Sequence, residues 1–196
     1  MPGGILPLPG GAPSPRAGAR LMSLFTLLER FAACERRALN LYRRLAERFA
    51  ADPEAGRLWV ELSNAEAAHF AILQLAADTA RRAGAGEVPG DAPDEPLETI
   101  EQTLTSLEAR AASGAITPAE AVEVALTLER EELPRIRRIV GALPPGARGG
   151  VLGGIVLGLP AHYACLAKLA ARAGVPAAGA ALEALAEEAR QLAGIE

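Results

Sequence analysis

A chain of 196 residues is long enough to bury a substantial core and short enough for a single domain to be the natural expectation. Half of its residues are hydrophobic, which excludes a disordered polymer, and its net charge of −4 argues against nucleic acid as a partner. Aromatic residues make up only 4% while Ala and Leu abound, so helices are expected rather than strands. The two cysteines, Cys34 and Cys165, supply neither a disulfide framework nor a four-cysteine metal site, and they point to a reducing, cytoplasmic compartment.

Residues 1–21 are rich in Pro and Gly and are expected to be a disordered tail, with Met22 as an alternative start. The run Gly4-Ile5-Leu6-Pro7-Leu8-Pro9 is too short and too proline-rich for the core of a secretory signal. Residues 22–196 are expected to form one helical domain. Its first helix is predicted over 23–51. Asp52-Pro53-Glu54 then ends that helix and starts the next, with Asp52 as N-cap and Pro53 in the first turn. A link this short makes the two helices antiparallel neighbours, and the second is predicted to run to Arg82.

A Pro/Gly/acidic connection over 84–96 follows. Leu97, Ile100, Leu104 and Leu107 mark a short amphipathic helix ending near Ser113-Gly114, and the two together read as a long crossover. Thr117 and Glu120 form a capping box that opens the third long helix, predicted to end at Leu143-Pro144-Pro145-Gly146. Pro134 falls inside it and is read as a local irregularity, because the apolar stripe continues through Ile136 and Ile139. The fourth helix is predicted through 149–167, a run with no charged residue. There Gly150, Gly154 and Gly158 are spaced for close helix approach, and Pro160 either opens or kinks the regular part. Such a run also has the length of a membrane span, against the commoner reading as a buried core helix. A last helix is predicted from Pro176 to Ile195.

Polar residues interrupt four of these stripes. Glu35 breaks Leu28, Phe31, Ala38, Tyr42, Leu45. Glu66 and His69 break Trp59, Leu62, Leu73, Ala76. Glu129 and Glu132 break Val122, Ala125, Ile136, Ile139, and His162 breaks Ile155, Leu159, Leu166, Leu169. Residues three and four apart share one helix face, so these groups fall on inward positions. Burying carboxylates and imidazoles is costly unless they are paired or bind a metal. The spacing repeats, with Glu35 and Glu129 in one helix of each half and His69 and His162 in the other, as expected for one helix pair used twice. For Glu132 a second reading stands beside this one: it lies in a run of charges that also suits a solvated face. Oxygen and nitrogen donors in this mixture suit iron, or alternatively manganese.

Glu35-Arg36-Arg37-Ala38 with Tyr42, followed by Glu66-Ala67-Ala68-His69, resembles the first half of a rubrerythrin-type, ferritin-like diiron-carboxylate domain. Glu129-Arg130-Glu131-Glu132 resembles the Glu-x-x-Glu of its third helix, and the resemblance extends over residues 22–175. It implies an all-α, ferritin-like four-helix bundle with a long crossover between its second and third helices and short extra helices. It further implies one or two iron ions that react with peroxide or oxygen. Glu66 would bridge, Glu35 and Glu129 would be terminal carboxylates, His69 a ligand and Glu132 an accessory carboxylate. The fourth helix departs from the pattern: it reads Leu159-Pro160-Ala161-His162 where the family has Glu-x-x-His. Glu132 or Cys165 could replace the missing carboxylate, although a buried cysteine is more commonly just packed. Tyr42 and Tyr163 are either redox neighbours or plain core aromatics. A rubredoxin-type domain needs four cysteines, so a peroxidase of this kind requires an external electron donor. Pairing into a homodimer or higher homo-oligomer is also expected of such bundles. The alternative is a degenerate relative that binds one metal or none and serves as a scaffold.

Overall fold

The computed structural model describes residues 21–84, 86–89, 97–142 and 153–193. Within them the chain is almost entirely helical: α1 (Leu24–Arg48), α2 (Pro53–Arg82), α3 (Leu97–Ala112), α4 (Pro118–Ala142), α5 (Gly153–Arg172) and α6 (Pro176–Ala193). The tail expected over 1–21 lies outside the described residues except for Leu21, as do the predicted end of the third helix at 143–146 and Gly150.

Local chemistry starts these helices. The Ser23 hydroxyl accepts from the Thr26 N–H at 3.0 Å and caps α1. The Asp52 carboxylate accepts from Glu54 and Ala55 N–H groups and caps α2, with Pro53 in the first turn. At α4 the capping box is reciprocal: Glu120 N–H donates to Thr117 Oγ1 at 3.2 Å, and Thr117 N–H donates to Glu120 Oε2 at 2.8 Å. Helix α1 stops at Arg48, three residues before the predicted end. Residues 49–51 make the turn that brings Asp52 to the head of α2, closed by an Asp52 N–H bond to the Phe49 carbonyl. Helices α4 and α5 both continue through their prolines, Pro134 and Pro160.

The chain also contains a feature that was not expected. Leu21–Ser23 (β1) pairs antiparallel with Glu87–Pro89 (β2), in the register Leu21↔Pro89, Met22↔Val88, Ser23↔Glu87. The Leu24 N–H continues the tie with a 3.3 Å bond to the Gly86 carbonyl. The start of α1 is thus fastened to the segment that follows α2.

Helix α1 packs on α2, α2 also on α5, α5 also on α4, and α4 touches α1, so these four helices close a cycle. Helix α3 lies across α1 and α4, and α6 covers α5 and α4. Buried Leu27, Leu28, Phe31, Leu41, Tyr42, Leu58, Trp59, Leu62, Leu166 and Leu169 fill the interior. Ile100, Leu104 and Leu107 of α3 are buried as well. Above them Arg30 pairs with Glu101 at 3.0 Å and Arg37 pairs with Glu108 at 2.7 Å.

By length and composition α5 is apolar enough to cross a membrane. Here it buries Ile155, Val156, Leu159, His162 and Leu166, and a core helix meets the same criterion. Its glycines serve contacts within the chain. A Cβ on Gly154 would meet Ile72 Cδ1 at 3.1 Å, and one on Gly158 would lie 4.0 Å from His69 Nε2, so both turn toward α2.

Candidate metal centre

All six inward polar residues read from the sequence are buried: Glu35, Glu66, His69, Glu129, Glu132 and His162. Glu132, for which a solvated face was the second reading, is only 4% exposed. Helix α1 supplies Glu35, α2 supplies Glu66 and His69, α4 supplies Glu129 and Glu132, and α5 supplies His162. The helical step of three residues puts Glu66 beside His69, and Glu129 beside Glu132, one turn apart on the same inner face.

These residues converge in two sets. Glu35, Glu66, His69 and Glu132 bring one donor atom each to within 4.8 Å of one another, and so do Glu66, Glu129 and His162. Glu66 belongs to both. Its Oε2 lies 3.3 Å from His69 Nδ1, and its Oε1 lies 3.4 Å from His162 Nε2. His69 Nδ1 is also 3.2 Å from Glu132 Oε1 and 3.9 Å from Glu35 Oε2. In the second set His162 Nε2 lies 2.9 Å from Glu129 Oε1, which accepts a 2.6 Å hydrogen bond from the Tyr42 hydroxyl. The imidazole centroids are 5.8 Å apart.

Crowding this many charges in a dry interior perturbs their titration. Burial pushes the Glu66 carboxyl well above its ordinary range, and the Glu35 charge adds to the effect. Burial also raises Glu129 and Glu132. For His69 burial disfavours the imidazolium, but Glu132 and Glu66 outweigh it and hold its pKa well above normal. His162 has less compensation, and burial lowers it to about 4. Burial and then the Glu129 charge keep the Tyr42 phenol protonated far above its usual range.

The donor chemistry fits a cation. Glu66 Oε2, His69 Nδ1, Glu129 Oε2, Glu132 Oε1 and His162 Nδ1 are buried and make no hydrogen bond. Buried polar atoms are nearly always satisfied; among these, Glu66 Oε2 and Glu132 Oε1 converge on His69 Nδ1 at 3.3 and 3.2 Å, and such a set of oxygen and imidazole donors is what a metal ion satisfies.

Other expected participants fall differently. Leu159 is fully buried, so no carboxylate comes from that turn of α5. Cys165 stands in neither donor set; its Sγ is 3.5 Å from the Leu58 carbonyl and 3.9 Å from Glu61 Oε2, which rules it out as the replacement ligand. Tyr42 belongs to the site through Glu129, whereas Tyr163 packs edge-on against His162 at 5.8 Å with its hydroxyl unpartnered.

Two residues that the sequence pattern did not single out border the cluster. Cys34 and Arg135 line a half-enclosed cavity of about 20 Å³ together with Glu35, Glu66, Glu129, Glu132 and Leu104. Burial raises the Cys34 thiol to about 11, so it stays protonated. Arg135 is 6% exposed; its Nε donates to the Glu131 carbonyl at 2.7 Å and its Nη2 to the Leu128 carbonyl at 3.2 Å.

No protein-family model matches the chain, and no curated protein or solved structure does. Fold and site together define an all-helical protein with a buried carboxylate–histidine cluster able to hold a metal ion.

Proposed function

We propose that the protein is a ferritin-like, rubrerythrin-related metalloprotein that binds a pair of iron ions and uses them in redox chemistry with peroxide or oxygen. The observation that carries this reading is the sharing of Glu66 between two donor sets, which is how one carboxylate bridges two cations. Glu35, His69 and Glu132 would complete one position, and Glu129 and His162 the other. The helix cycle α1–α2–α5–α4 and the crossover carrying α3 agree with a four-helix bundle of that type.

The iron pair would supply the electrons, drawn in turn from an external donor. The chain's own part is to position and to exclude. Tyr42 fixes Glu129 by donating to Oε1 and leaves Oε2 for a cation. Leu159, Leu104 and Leu128 exclude water, which strengthens every charge interaction inside. Manganese suits the same donors. A cytoplasmic location and self-association belong to this proposal too.

The two donor sets are unequal, four residues against three, because Leu159 stands where the resemblance calls for a carboxylate. That favours a second reading in which only the Glu35–Glu66–His69–Glu132 position fills and the protein acts as a scaffold. Anaerobic Fe(II) loading followed by elemental analysis separates them. About two ions per chain supports the pair, about one supports the second reading, and less than ~0.2 overturns the iron site and leaves the scaffold in its metal-free form.

A further inference from the structure

The end of the bundle at the α1–α2 turn carries a recess of about 240 Å³, and none of the six inward donors lines it. It lies where α1 and α5 end and where α2 and α4 begin. Trp59, Val122 and Leu169 form its floor and are themselves buried. Phe49 stacks on Trp59 with ring centroids 6.5 Å apart. Protein interiors leave few voids larger than a water. Here the walls include Ala51, Ala55 and Ala173, so the larger side chains that would close the space are missing.

Three charged residues line the mouth, and two of them are spent on each other. The Asp52 carboxylate accepts from the Glu54 and Ala55 N–H groups and from Arg172 at 2.5 Å. Arg172 also donates to Glu54 at 3.0 Å. The Arg48 guanidinium, exposed at the end of α1, has no hydrogen bond or ion pair among the described residues.

We propose that this recess binds a small organic monoanion, a carboxylate carried on a compact apolar body. The proposal does not rest on the metal reading. A cavity of about 150 Å³ holds benzene, so the larger one here admits a six-membered ring with a substituent, about ten heavy atoms in all. The ring lies over the apolar floor, and the carboxylate takes paired, charge-assisted bonds from Arg48 at the mouth. Size and charge select together. A long-chain lipid exceeds the space, and a neutral body leaves the one unspent cation unused.

Cyclohexanecarboxylate is the probe and cyclohexylmethanol its neutral counterpart. Each is titrated into the full chain and followed by calorimetry and by the emission of Trp59, the chain's only tryptophan. The expected result is a carboxylate Kd of about 1 mM or tighter, at least about tenfold tighter than the alcohol's. In Arg48→Gln the two affinities should come within about threefold of each other. Arg48 is exposed, so this change leaves the fold alone. Ala55→Leu fills the recess and should abolish both responses. No saturable signal by either method up to about 10 mM overturns the site. Equal affinities in the parent, or a tenfold preference that survives in Arg48→Gln, overturn the anion assignment. Undiminished binding to folded Ala55→Leu protein overturns the location. Should Ala55→Leu fail to fold, Ala173→Leu on another wall decides in its place.

Discussion

Glu66 stands between His69 and His162, with one oxygen 3.3 Å from the first and the other 3.4 Å from the second. Replacing it by glutamine keeps the volume and removes the charge shared by both donor sets. Iron in Glu66→Gln is expected to fall from about two ions per chain to below about one, with the helical circular dichroism unchanged. Glutamine is nearly isosteric with the protonated carboxyl that burial favours there, which is why the fold should survive. The six inward polar residues were legible in the sequence because each one breaks an apolar stripe. Arg135 and Cys34 were not. A charged residue beside others on a helix reads as solvated, and a buried cysteine reads as packing, so neither breaks a pattern. Only the approach of α3 and α4 to α1 makes them walls of one cavity.

At the scale of elements, α3 is held against α1 in two ways, and their magnitudes differ. The Arg37–Glu108 pair is about a third exposed, and such pairs contribute roughly 1 kcal/mol or less. Leu104 is 1% exposed, and truncating a buried leucine to alanine costs about 2–5 kcal/mol. Leu104→Ala is therefore expected to lower stability by that amount and to speed amide exchange across 97–112, while Arg37→Ala changes either only slightly. Denaturant unfolding and hydrogen exchange check both. Helix starts were readable in the sequence, since Ser23, Asp52 and Thr117 each act through side-chain oxygens on the next turn. The β1–β2 pair was not, because three-residue segments, one of them ending in Pro89, carry no alternation from which to recognise a strand.

For the whole molecule, the buried cluster makes stability depend on pH. Glu66 and His69 titrate higher in the folded chain than in the unfolded one, so the folded state holds more protons as pH rises. Their stabilising contribution is complete below the unfolded values and is lost as pH climbs toward the folded ones. His162 works in the other direction: held down to about 4 against an ordinary 6.5, it loses stability only as pH falls between those values. Above pH 6.5 it contributes no slope. Metal-free protein is thus expected to show a Tm that falls as pH rises above 6.5, and bound iron, which displaces the protons, should flatten or reverse that fall. Thermal scans with and without chelator measure it.

The tie between Leu21–Ser23 and Glu87–Pro89 has a mechanical consequence. Helices α1 and α2 are joined by a four-residue turn at one end and stitched by backbone hydrogen bonds at the other, so they cannot scissor apart. A pair hinged nowhere gives an incoming ion no doorway between Glu35 and His69. For a cation bound as proposed, entry would then come from the opposite flank, where α3 meets α1 through side chains and the Arg37 bond to the Glu101 carbonyl.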